Sequence, residues 1–176
     1  MLIVDDKPES LYLLRAMLQG NGCEVDEARH GAEALVKARQ NPPGIIISDL
    51  LMPVMDGYTL LRHWKADERL KPIPFVVYTA TYTEPKDEKL ALDLGADGFI
   101  IKPAEPEPFI SRIREVLAAD QRARLTSTCE PVGEEKGLLK ECSEILVRKL
   151  EEKAAQVVQT SRELQAEFTA RRRMEE

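Results

Sequence analysis

Carboxylates stand at two places in the sequence where a short apolar run ends. Asp5 and Asp6 follow the run 2–4, and Asp49 comes soon after the run 45–47. Three carboxylates that are brought together repel one another, and they stay ionised at neutral pH only when a cation joins them. Ligation by carboxylates, a carbonyl and water suits Mg²⁺, which keeps several waters of its own. The residue types therefore predict a magnesium site, provided that the fold brings these positions together.

Two further side chains follow later apolar runs and would complete a site for a phosphoryl group. Thr79 ends one run, and Lys102 follows another. The Lys102 ammonium and Mg²⁺ would neutralise phosphoryl oxygens, and the Thr79 hydroxyl would add a hydrogen bond. Asp49 is then the predicted nucleophile, which forms an aspartyl phosphate.

The elements that must position these residues follow from the pattern of residues 1–119. Five apolar runs (2–4, 23–25, 45–47, 73–78 and 98–101) alternate with amphipathic stretches. Five β-then-α units predict an α/β fold, a doubly wound five-stranded parallel sheet with helices on both faces. A closed eightfold barrel would need about twice the length. In an open parallel sheet, functional groups collect at the carboxyl ends of the strands, where the residues named above stand.

The amphipathic stretches also predict which side chains of the helices face the core. They are Leu11, Leu14 and Leu18; Ala32, Leu35 and Val36; Leu60, Leu61 and Trp64; Leu90 and Leu94; and Phe109, Ile113, Val116 and Leu117.

Residues 1–119 resemble the response-regulator receiver domain of a two-component system. The matching elements are the Asp5-Asp6 pair, the stretch 49–57 (DLLMPVMDG), Thr79-Ala80, and the stretch 95–103 (GADGFIIKP). They occur in the expected order and at the expected strand ends. The resemblance implies a flavodoxin-like sheet of order 2-1-3-4-5. It also implies a phosphorelay function without enzymatic activity, apart from Mg²⁺-dependent self-phosphorylation and autodephosphorylation.

The resemblance assigns a role to each acidic residue. It implies that Asp49 accepts the phosphoryl group from a sensor histidine kinase or a histidine phosphotransfer protein. Asp6 would bind Mg²⁺ directly, Asp5 mainly through water, and Leu51 through its backbone carbonyl.

The resemblance also implies how the signal leaves the site. Thr79 and Lys102 would hold the phosphoryl oxygens, and Phe99 would rotate inward when Thr79 moves. That movement would change the surface of the fourth helix, the fifth strand and the fifth helix. The Lys102–Pro103 bond is expected to be cis, as is usual in the family.

The rest of the chain has a different character. Residues 120–136 are rich in polar and turn-forming residues and are predicted to be a linker, whereas 137–176 is rich in helix formers. The second segment is predicted to be one long helix that resembles a signalling helix and leads into an output domain beyond this sequence. Five apolar residues share one heptad stripe, which predicts a coiled coil and a homodimer: Leu139, Leu146, Leu150, Val157 and Leu164.

Composition narrows the class of protein. The net charge is −6, and most of it lies in residues 1–119, which argues against a direct nucleic-acid surface there. Cys23, Cys129 and Cys142 form no CxxC pair, a usage that fits a reducing compartment. No apolar run approaches the ~18 residues of a membrane span, and no secretory signal opens the chain. A cytoplasmic protein is therefore predicted.

Two other functions fit part of the pattern. A scaffold protein could act through the coiled coil alone. A haloacid-dehalogenase-like aspartyl-phosphate phosphatase would also use an Asp nucleophile and Mg²⁺. Such phosphatases carry an Asp-x-Asp motif after the first strand and a cap over the substrate, whereas this chain has adjacent Asp5 and Asp6 and its predicted nucleophile at Asp49.

Overall fold

The computed structural model describes residues 1–81 and 85–126, all within the first of the two units into which the chain divides, Met1–Gly133. Strands and helices alternate. The strands are β1 Leu2–Val4, β2 Asp26–Ala28, β3 Ile46–Ser48, β4 Phe75–Thr79 and β5 Gly98–Ile101. The helices are α1 Pro8–Gln19, α2 Gly31–Gln40, α3 Gly57–Ala66, α4 Pro85–Asp93 and α5 Pro106–Thr126.

The five strands form one parallel sheet of order β2-β1-β3-β4-β5. This confirms the predicted α/β architecture and strand order. Val4 lies opposite both Ala28 and Ser48, and Thr79 lies opposite Ile101. Because all strands run in one direction, the residues that follow β1, β3, β4 and β5 meet at the same edge of the sheet.

The second strand lies three positions later than the apolar run 23–25 indicates. β2 is an edge strand at Asp26–Ala28, and only Ala28 in it is buried. Cys23 and Val25 instead pack, partly buried, against the core between the sheet and helices α1 and α5. Apolar composition marks what is buried, and an edge strand with one buried side chain gives little of that signal.

The predicted core positions are correct for most helices, and one of them is wrong. Leu11, Leu14 and Leu18 of α1 are buried, as are Leu60, Leu61 and Trp64 of α3. Val36 of α2 is 56% exposed. The buried face of α2 consists of Gly31, Ala34, Leu35 and Ala38, so Leu35 and three small residues form the stripe that meets the rest of the fold. Val36 lies just outside that stripe.

The last helix extends beyond the domain boundary predicted at residue 119. α5 continues to Thr126, so the first part of the predicted linker 120–136 is helical. Residues 120–126 contain neither Pro nor Gly, and Gln, Arg and Ala there favour a helix. The remainder of that linker and the predicted long helix 137–176 lie outside the described residues. Within the described part of the chain, no helix is long and apolar enough to cross a membrane.

Candidate functional site

Backbone pairing brings the acidic residues of two strands to one place. Asp49 N donates a hydrogen bond to Val4 O at 2.9 Å, and Asp5 N donates to Ala28 O at 3.1 Å. These bonds extend the pairing of the three strands past their ends. As a result, one carboxylate oxygen from each of Asp5, Asp6 and Asp49 lies within 4.8 Å of the other two. The sequence predicted this convergence.

Two of the three carboxylates are buried. Asp5 is 0% exposed and Asp49 is 7% exposed, whereas Asp6 is exposed. A buried carboxylate is costly unless hydrogen bonds and an opposite charge compensate for its lost hydration. Asp5 Oδ1 accepts from Lys7 N at 2.9 Å, and Asp49 Oδ1 accepts from Leu50 N at 2.6 Å. The turns after the strands therefore supply part of the compensation.

Lys102 supplies the opposite charge. Its Nζ donates to Asp5 Oδ2 and lies 2.9 Å from Asp49 Oδ2, and its side chain is 13% exposed. Burial alone would lower the pKa of Lys102, but the charge of Asp49 and the hydrogen bond to Asp5 together raise that pKa above its usual value. The ammonium therefore lies between the two carboxylates and balances their negative charge.

The acidic cluster fits a hydrated divalent cation. Formal charges of three carboxylates and one ammonium leave the cluster negative, and all the ligand atoms it offers are oxygens, as Mg²⁺ prefers. The exposed Asp6 can reach an ion that keeps its waters. Both oxygens of Asp5 already accept hydrogen bonds, from Lys7 N and Lys102 Nζ. Asp5 is also 0% exposed, whereas Asp49 keeps 7% of its surface exposed and Asp6 is exposed, so Asp5 is the carboxylate better placed to contact a water of the ion than the ion itself.

Thr79 ends β4 with a fully buried side chain. Its Oγ1 accepts from Thr81 N at 3.3 Å, which leaves the hydroxyl proton available for donation to another group. The Thr79 carbonyl accepts from Lys102 N at 2.8 Å, so these two site residues are joined through the backbone.

The remaining predicted site residues are Leu51, which follows Asp49, and Phe99, which lies in β5. Leu51 is partly exposed, and its N–H lies 3.5 Å from Asp49 Oδ1. Phe99 is half-buried in β5, opposite Val77 of β4. The Lys102–Pro103 bond is cis, as the resemblance implies.

A tight loop leads from Asp49 into α3. Met55 N donates to Pro53 O at 2.7 Å around Val54, whose φ is 67°, so these residues form a γ-turn with a positive central φ. Met55 O accepts in turn from Gly31 N at 3.1 Å, which ties the loop to the start of α2. Asp56 then caps α3 by accepting from Thr59 N at 2.9 Å.

Gly57 holds the beginning of α3 directly against Asp49. Its N–H donates to Leu50 O at 2.8 Å. A Cβ at this position would overlap the Asp49 carbonyl oxygen and lie 2.7 Å from Leu50 Cα, both of them backbone atoms. The absence of a side chain at Gly57 therefore lets the helix fix the position of the acidic residue.

One neighbour of Lys102 was not identified from the sequence as part of the site. The Lys102 ammonium lies 5.2 Å from the centre of the Tyr78 ring, which in turn lies 5.0 Å from the Phe109 ring. Tyr78 belongs to an apolar run, and that pattern assigns it only to the core. Its position directly before Thr79, at the end of a central strand, is the available signal that it reaches the site.

Comparison with known proteins agrees with this geometry. The family described as the response regulator receiver domain matches residues 1–114. Protein PilH of Pseudomonas aeruginosa is 33% identical over 118 residues, which are 67% of this chain and 97% of PilH. The crystal structure of the chemotaxis protein CheY4 of Vibrio cholerae is similar with a TM-score of 0.62 and 33% identity, over 65% of this chain and 95% of CheY4.

Other relatives are longer than the matching region. The transcriptional regulatory protein BaeR of Escherichia coli is 37% identical over 117 residues, which are 66% of this chain and 47% of BaeR. The match with BaeR therefore spans about half of that relative's length.

Gly57→Ala is expected to lower the free energy of unfolding by about 1–3 kcal/mol or more, because the new methyl group meets backbone that cannot move away cheaply. It should also displace Asp49 and impair any chemistry there. Urea unfolding measures the first effect. Gly44→Ala is the matched control, since a Cβ at Gly44 would point into open space and the backbone there is not in the left-handed region. Equal stability of the two variants would contradict the close approach of α3 to Asp49.

Proposed function

Because this chain belongs to the response regulator receiver domain family, we propose that its Asp49 accepts a phosphoryl group and that the modified domain switches a downstream output. The observation that carries the proposal is the contact of Lys102 with Asp49 and Asp5, beside the exposed carboxylate of Asp6. That arrangement offers a nucleophile, a fixed positive charge and oxygen ligands for a cation in one place.

The proposed donor is a phosphohistidine of a sensor histidine kinase or of a histidine phosphotransfer protein. An Asp49 carboxylate oxygen forms a bond to phosphorus while the bond from phosphorus to the histidine nitrogen breaks. Mg²⁺ would be held by Asp6, Asp49, the Leu51 carbonyl and, through water, Asp5. When bound, the ion neutralises negative charge on the phosphoryl oxygens.

The protein's own groups hold the transferred phosphoryl group. The Lys102 ammonium already lies at Asp49 Oδ2, so a phosphoryl group there lies within its reach. The Thr79 hydroxyl can donate to a second phosphoryl oxygen, and its shift toward that oxygen would open space for Phe99. Phe99 is half-buried and lies in the strand next to β4, which suits a side chain that changes its exposure.

We further propose that this protein is cytoplasmic and acts in signalling. It would catalyse no reaction except the gain and loss of the phosphoryl group on Asp49. Self-phosphorylation and autodephosphorylation would be its only reactions, and it would bind DNA only through a domain outside this sequence. Of the relatives reported above, CheY4 is a chemotaxis protein and BaeR a transcriptional regulatory protein. They lend no support to the aspartyl-phosphate phosphatase or to the scaffold alternative.

Incubation with acetyl phosphate and Mg²⁺ is expected to add one phosphoryl group to the wild type and none to Asp49→Asn, because Asp49 is the nucleophile. Intact-mass spectrometry counts the adducts. Asp6→Ala should also suppress labelling, through weaker metal binding. Asp56→Asn is the matched control in the same loop, since asparagine keeps the cap of α3. Labelling of Asp49→Asn to the wild-type level would show that another residue is the acceptor.

The lifetime of the phosphoryl group is expected to depend on Leu51. In the family, the side chains two positions after the phosphorylated Asp and after the Thr flank the path of the attacking water. These positions are Leu51 and Thr81 here, and the apolar Leu51 cannot orient a water. Leu51→Asn or Leu51→Glu should therefore change the dephosphorylation rate, with little effect on stability because Leu51 is partly exposed. Decay curves that coincide for all three proteins would rule this role out.

Residues 1–176 are expected to form a dimer through the heptad stripe from Leu139 to Leu164, which lies outside the described residues. Each buried Leu or Val of such a stripe contributes about 1.5–3 kcal/mol, so a stripe exposed to water is costly. Light scattering on residues 1–176 should give a dimer, and on residues 1–126, which end with α5, mostly a monomer. Equal dimerisation of both would place the contact on the receiver domain instead.

A further inference from the structure

We propose that Tyr78 is a positioning residue that holds the Lys102 ammonium in place for phosphoryl transfer. The proposal rests on the function proposed above and adds a residue to its machinery. The contact that motivates it is the position of Lys102 Nζ over the face of the Tyr78 ring, 5.2 Å from its centre. A cation at this distance from an aromatic face is attracted by the negative charge of the ring face.

The order of the strands explains why Lys102 needs a support. Lys102 follows β5 at the edge of the sheet, whereas its partners Asp49 and Asp5 follow β3 and β1. The side chain must therefore reach across the end of β4, and neighbouring strands lie roughly 4.8 Å apart. Tyr78 is near the end of that intervening strand. A lysine side chain has four rotatable bonds, so an aromatic ring packed against its ammonium excludes alternative positions of that group.

The ring itself is fixed by the core. Tyr78 is buried, and its ring packs at 5.0 Å and 55° against Phe109 of α5, which is also buried. Both rings belong to the hydrophobic cluster between the sheet and helices α1 and α5. Because Tyr78 has few alternative rotamers there, it presents a constant surface to the ammonium.

This contact also differs in kind from the two ion pairs. The contacts with Asp5 and Asp49 depend on the charge of those carboxylates, and Asp49 changes its charge and size when it is modified. The Tyr78 face does not change in that reaction. The ring can therefore hold the Lys102 ammonium beside Asp49 while the ammonium changes its contact from the Asp49 carboxylate to a phosphoryl oxygen.

Acetyl phosphate labelling with Mg²⁺ tests the role in activity. Tyr78→Leu is expected to slow labelling about three- to tenfold, the range that a partly buried cation–π contact supports, because the aromatic face is lost. Tyr78→Phe keeps the face and should label at close to the wild-type rate. Val76→Ala is the control for general damage, since Val76 lies on the same strand and in the same hydrophobic cluster without being placed in the site.

The same substitution made in a Lys102→Ala variant distinguishes a role of Tyr78 in positioning Lys102 from a role in packing the core. In Lys102→Ala the ring has no ammonium to hold, so Tyr78→Leu should change the labelling rate of that variant by less than twofold, within the additivity expected of uncoupled residues. An equal slowing by Tyr78→Leu in both backgrounds would overturn the proposal, because the ring would then act only through the core.

A third measurement does not depend on phosphorylation. The ¹⁵N order parameter of the Lys102 ammonium, measured by NMR on the full chain without Mg²⁺, should fall in Tyr78→Leu and stay near the wild-type value in Tyr78→Phe and Val76→Ala. An unchanged order parameter in Tyr78→Leu overturns the positioning role, whatever the labelling shows. If the wild type takes no label while the order parameter falls as expected, the proposed function fails and the contact of Tyr78 with Lys102 stands.

Discussion

Lys102 balances two buried carboxylates that come from different strands, and the edge of the sheet is organised around this contact. Asp5 and Asp49 are both almost completely buried, and without an ammonium between them their charges would oppose each other in a poorly hydrated place. Three strands must end at the same level for the contact to form. The parallel order β2-β1-β3-β4-β5 achieves this, and it leaves Lys102 reaching over β4 to its partners.

The loop after β3 fixes the position of Asp49, the other partner in its contact with Lys102. Leu50 N fixes Asp49 Oδ1, while Gly57 N binds Leu50 O and brings the start of α3 against the Asp49 backbone. The γ-turn around Val54 closes the loop within few residues. The Asp49 carboxylate is thereby held by backbone groups on one oxygen and by Lys102 on the other. Under the proposed function, little reorganisation would be left for phosphoryl transfer, and a preorganised site gains rate in this way.

Much of this could be predicted from the sequence, because buried parallel strands are continuous apolar runs and parallel strands collect their functional residues at one edge. β1, β5 and the convergence of Asp5, Asp6, Asp49 and Lys102 follow from those two facts, whereas the strand order came from the resemblance to the receiver domain. The position of β2 does not, since an edge strand with one buried residue has no apolar run to mark it. The exposure of Val36 depends on packing, whereas the helix formers at 120–126 do indicate that α5 continues past residue 119. The contact of Tyr78 with Lys102 depends on side-chain direction at a strand end, which an apolar pattern does not report.

Calorimetric titration of Mg²⁺ onto the full chain tests whether the acidic cluster of Asp5, Asp6 and Asp49, which Lys102 only partly neutralises, binds the ion. The wild type and the Asp56→Asn control should bind one ion per chain with equal affinity. Asp6→Asn should lower the affinity for Mg²⁺ by well over tenfold. Losing a residue that only hydrogen-bonds a metal ligand already lowers metal affinity by roughly tenfold or more, and Asp6 is expected to bind the ion itself. If Asp6→Asn binds Mg²⁺ as tightly as the wild type, the acidic cluster is not the metal site and the proposed phosphoryl transfer onto Asp49 loses its basis.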